Sequence, residues 1–105
     1  MSKHKRRKRM VKPLRLFAKN NPLRLRASDG LTHVVISPKR SAFVPTFDLR
    51  WHDDRYHIYE LEQSDETPHL RWTLHDDVDM AIFIDVLKGW LRLRSGRHEP
   101  PDTDE

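Results

Sequence analysis

The chain has 105 residues, no cysteine, three glycines and a formal net charge of +4. That length favours one domain, the missing cysteines exclude a disulfide framework and thiolate metal sites, and so few glycines exclude a glycine-rich phosphate cradle. No apolar run approaches the roughly 18 residues needed to cross a bilayer, and Lys12, Pro13 and Arg15 interrupt the apolar residues that would form a signal-peptide core. The expected setting is therefore intracellular, cytoplasmic or nucleoid, and nuclear if the source is eukaryotic or viral.

Charge is unevenly placed along the chain. Residues 1–26 carry eleven of the twenty Lys and Arg and no acid, which leaves nine cations against sixteen acids beyond them. Within the first twelve residues, Lys3, Lys5, Arg6, Arg7, Lys8, Arg9 and Lys12 repel one another, and this predicts a disordered basic arm over 1–12. Leu14 to Phe17 and Leu23 to Ala27 read as strands separated by the turn formers Asn20, Asn21 and Pro22. In Leu23-Arg24-Leu25-Arg26 the alternation puts the leucines on one face and the arginines on the other. Arg15, Lys19, Arg24 and Arg26 would then continue the basic stripe that the arm begins, and an exposed Phe17, Tyr56 or Tyr59 could stack on bases.

Asp29-Gly30 signals a hairpin turn leading to a strand over Leu31–Ile36. The next strand, Ala42 to His52, carries Phe43, Phe47, Leu49 and Trp51 at core parity, with Pro45 marking a bulge or an edge. Asp53-Asp54 is a further turn before Tyr56–Glu62, and His69–His75 is the last strand, with Leu70, Trp72 and Leu74 directed inward. Asp76 to Gly96 is a long helical pattern with a narrow polar stripe of Asp85, Lys88 and Arg92; Asp76 can cap it, with Asp79 three residues on. So many apolar positions imply cover on more than one side, and Met80, Phe83, Leu87, Trp90 and Leu91 are the residues expected at a homodimer contact. Residues 97–105 read as a disordered acidic tail.

The predicted architecture is α+β: an antiparallel meander of five or six strands followed by one C-terminal helix packed on the sheet, with 13–96 as the single domain. This order is similar to that of single-strand-binding folds of the whirly type, whose terminal helix packs between subunits; the likeness concerns architecture, since no motif of that family is present.

Catalytic signals are poor. The six serines lie in tails or turns without a nucleophile elbow, and the paired acids Asp53-Asp54 and Asp76, Asp77, Asp79 are accounted for by turn and capping chemistry. His69 and His75 are about 20 Å apart along an extended strand, too far to share an ion. His52 and His57 flank a turn that also offers Asp54, yet polar surface explains them, so neither a metal nor a cofactor is assigned. The expectation is a small non-enzymatic nucleic-acid-binding protein, for DNA or RNA, with weak sequence selectivity. The alternative is a protein–protein module, a small regulator or inhibitor of a larger enzyme or nucleic-acid machine, with Glu60, Glu62, Asp65 and Glu66 as contacts for a basic partner.

Overall fold

The computed structural model of the chain describes residues 2–39, 45–61 and 69–98, with side chains described as far as Arg92. Helix α1 (Lys3–Lys19) precedes strand β1 (Leu23–Ala27), a single 3₁₀ turn (Asp29–Leu31), strands β2 (His33–Pro38), β3 (Thr46–His52), β4 (Arg55–Leu61) and β5 (His69–Leu74), and helix α2 (Asp77–His98). The five strands form one antiparallel sheet in sequence order, β1-β2-β3-β4-β5. The α+β meander closed by a C-terminal helix is thus present, with a second helix at the N-terminus. Phe43, Glu62, Asp65, Glu66 and the tail from Glu99 lie outside the described residues.

Helix α1 replaces both the disordered arm and the strand expected over Leu14–Phe17. Ser2 caps it, its side chain accepting from the Lys5 backbone N–H at 3.2 Å. The local sequence opposes this helix, because its first turn carries no acid and several cations, and Pro13 lies inside it. Packing supplies the compensation. Met10, Val11, Leu14 and Ala18 recur at helical spacing and are all buried, with Phe17 packed beside them. Polar clamps add to this: Lys3 pairs with Asp54 at 3.1 Å, Arg9 with Asp77 at 3.0 Å, and the Arg7 Nε donates to the Gly30 carbonyl at 2.7 Å.

Both helices lie on one face of the sheet, giving two layers around one core. Leu23, Val34, Ile36, Phe47, Leu49, Tyr56, Ile58 and Leu74 meet Met80, Phe83, Ile84 and Leu87 there. Phe47 stacks on Trp90, with centroids 5.2 Å apart, and meets Phe83 edge-on at 5.4 Å. Helix α2 starts as the sequence predicts. The Asp76 carboxylate accepts from the Asp79 N–H at 3.0 Å while the Asp79 carboxylate accepts from the His75 N–H at 2.8 Å, a reciprocal cap.

Strand β5 departs from the expected parity. Ile58 pairs with Trp72 and Tyr59 with Leu70, so Arg71 has no residue opposite it. This bulge moves Leu70 to the outer face, where it is exposed, and leaves Leu74 as the fully inward side chain of the three. Glu60 is also placed otherwise than expected. It lies on the inner face, nearly buried, and accepts from the Arg71 Nε at 2.7 Å, so it is not a surface contact.

Candidate nucleic-acid interface

The eleven cations of residues 1–26 separate into two sets. Lys3, Arg6, Arg7 and Arg9 are tied to the rest of the fold: Lys3 and Arg9 hold the acids named above, Arg6 and Arg7 donate to the carbonyls of His75 and Gly30, and both guanidinium groups lie over the Trp51 ring at 5.5 and 5.4 Å. These four fasten the helix. Lys5, Lys8, Lys12, Arg15, Lys19, Arg24 and Arg26 have no acidic partner among the described residues.

Five of these seven share one helix face. At 100° per residue, positions 5, 8, 12, 15 and 19 fall within an arc of about 80° and span about 21 Å. That arc is roughly opposite Met10 and Leu14, and docking α1 by its apolar side leaves all five stripe residues exposed. Beside it run two grooves of about 470 Å³ each that share Arg15. One is lined by His4, Lys8, Lys12 and Arg15, the other by Arg15, Lys19, Arg24 and Lys39, and no acid among the described residues lines either. Like charges at i, i+3 and i, i+4 destabilise a helix by about 0.2–0.5 kcal/mol per pair. Stripe positions that cost stability and take no part in docking are therefore sites where a polyanion would be stabilising.

The Tyr56 hydroxyl anchors the turn beneath α1. It donates to the Leu31 carbonyl at 2.6 Å. Burial pushes this phenol well above the usual range, with Arg7 acting more weakly in the other direction, so it remains a donor. Gly30 and Leu31, both at positive φ, are held here by Arg7 and Tyr56.

Aromatic stacking has little support near the stripe. Phe17 packs against the core, Tyr56 is buried, and Tyr59 on the outer face lies under the Arg50 guanidinium at 4.8 Å. Arg50 is itself held by Asp48, whose carboxylate is nearly buried between Arg50 and His33. Among the described residues, Trp72 is the one aromatic of the exposed large hydrophobics, and it lies on β5, the sheet edge opposite β1.

The residues assigned to a homodimer contact are largely internal. Met80, Phe83 and Leu87 are buried within the chain, and Trp90 and Leu91 pack partly against the same core. The second cover that α2 demanded comes from α1. Among the described residues of α2, the large apolar side chains left exposed are Val78 and Ile82, four residues apart.

No helix among the described residues is long and apolar enough to cross a membrane. Comparison with known proteins returns no matching family model, no matching curated protein and no matching solved structure.

Proposed function

We propose that the protein binds nucleic acid through phosphate contacts made by the outward face of α1 and by Arg24 and Arg26 of β1, without enzymatic activity. The observation that carries this reading is the sorting of cations on one helix: Lys3, Arg6, Arg7 and Arg9 are held by groups elsewhere in the fold, whereas Lys5, Lys8, Lys12, Arg15 and Lys19 are aligned on one exposed face with no acidic partner among the described residues. A 21 Å line of charge runs beside about six phosphates of one strand, at 3.4 Å of axis per phosphate. The reading favours a duplex, because a straight row of cations follows a regular backbone while single-strand sites add open aromatic platforms, which the stripe lacks. Selectivity for sequence is expected to be weak, since phosphate contacts position a protein without reading bases.

The test is fluorescence anisotropy with a labelled duplex from about 50 to 200 mM salt. With five or six phosphates engaged, log K should fall against log[salt] with a slope of about −5. The triple variant K8Q/K12Q/R15Q should bind more weakly and lower the slope by about three. Equal affinity and equal slope in the variant would sink the reading. Truncation of residues 1–12 is unsuitable, because it removes Met10 and Val11 from the core.

A second reading, a protein–protein module acting as a small regulator, draws on the other end of the molecule. Val78 and Ile82 are exposed, Trp72 is partly so, and a small groove of about 160 Å³ runs between Trp72, Ile82, Phe83 and Val86 beside the open edge of β5. Association that survives nuclease treatment and is abolished by Ile82→Glu would favour it.

A further inference from the structure

The hairpin joining β3 and β4 carries a second cluster of chemistry, away from the cationic stripe. His52 and His57 sit on the same outer face of adjacent strands, a diagonal pair fixed by the register Arg50↔His57 and His52↔Arg55. Their imidazoles lie face to face, with centroids 3.6 Å apart and planes within 4°. Asp53, the first turn residue, brings a carboxylate oxygen to 3.4 Å from the His52 Nδ1. One ligand atom from each of the three lies within 4.8 Å of the others.

The turn that creates this arrangement is a demanding one. Asp53 and Asp54 both have positive φ, 55° and 59°, the two-residue geometry in which Asn-Gly or Asp-Gly is preferred. Asp54 is held there by Lys3, which leaves Asp53 beside the histidines. The sequence drew attention to His52, His57 and Asp54; the left-handed turn makes Asp53 the third member instead.

From this geometry we infer a surface site for one divalent transition-metal ion, ligated by His52, His57 and Asp53, with its remaining positions open to water or a further ligand. Two imidazoles with one carboxylate suit zinc or nickel over magnesium, which prefers oxygen donors. Metal–ligand bonds of about 2.0–2.2 Å require ligand atoms roughly 3–4 Å apart. The three groups start slightly wider than that, and rotation of the imidazoles, of which His52 is half-exposed, closes the difference. The ion takes the place of the weak contact between His52 and Asp53. It also ties the hairpin tip at the point where Lys3 of α1 meets Asp54.

The experiment is calorimetric titration of the full chain with zinc chloride and with nickel chloride, using magnesium chloride as control. One equivalent of zinc and of nickel per chain is expected, with no magnesium uptake. His52→Gln and His57→Gln should each weaken zinc binding by about tenfold or more, and Asp53→Asn should weaken it as well. His52 and Asp53 are exposed and His57 is half-buried, and circular dichroism of each variant confirms that loss of binding is not loss of fold. In parallel, nickel should broaden the ring-proton signals of His52 and His57 ahead of those of the other histidines. Absence of saturable zinc binding would overturn the site, as would unchanged affinity in both histidine variants or broadening centred on other histidines.

Discussion

Tyr56 shows how one side chain fixes the approach of α1 to the sheet. It is fully buried, meets Trp51 edge-on with centroids 4.9 Å apart, and gives its proton to the carbonyl of Leu31, a residue at positive φ. Tyr56→Phe keeps the ring and removes the donor, so it should cost about 1 kcal/mol, read from the shift of the denaturant midpoint at constant slope. A neutral effect would mean that the turn is held by Arg7 alone. Tyr56 and Tyr59 lie three residues apart in β4, so strand alternation sends them to opposite faces, Tyr56 inward and Tyr59 outward. The sequence could not convey that Arg50 covers the Tyr59 ring, because this depends on a same-face neighbour across the β3–β4 pair.

At the scale of elements, α1 is where sequence reasoning and structure part. Charge density over 1–12 and the turn residues Asn20, Asn21 and Pro22 dominated the expectation, although Met10, Val11, Leu14, Phe17 and Ala18 already carried the i, i+1, i+4, i+7, i+8 spacing of a buried helix face. Tertiary burial outweighed local repulsion. Leu14→Ala should therefore destabilise the whole fold by about 2–5 kcal/mol, measured by chemical denaturation. A disordered arm or a peripheral strand would give close to zero. The stripe should show the opposite behaviour. Replacing Lys8, Lys12 and Arg15 with Gln relieves like-charge pairs and keeps helix propensity, so it should raise stability by roughly 1 kcal/mol at low salt. Gain of stability with loss of binding in one variant is the signature of residues retained for a partner. Strands β1 to β4 were legible from alternation and turn residues to within a few positions, whereas the bulge at Arg71 was not, since one unpaired residue leaves no mark in the pattern of β5.

For the molecule as a whole, the sequence displayed the charge asymmetry and the meander but not their relation. The basic end is docked across the same sheet face as α2, and two acids, Asp54 and Asp77, help to hold it there. That arrangement also buries Met80, Phe83 and Leu87, three of the residues expected at a homodimer contact, within the chain, while Val78 and Ile82 of α2 stay exposed. The central claim is that the outward stripe of α1 is a phosphate-binding surface. It is tested most directly by following backbone amide shifts of the isotope-labelled protein as a short duplex is added. The account predicts perturbations concentrated on residues 5–19 and on Arg24 and Arg26, fading as salt is raised. Perturbations confined to β5 and the start of α2, around Trp72 and Ile82, or none at low salt, would contradict it.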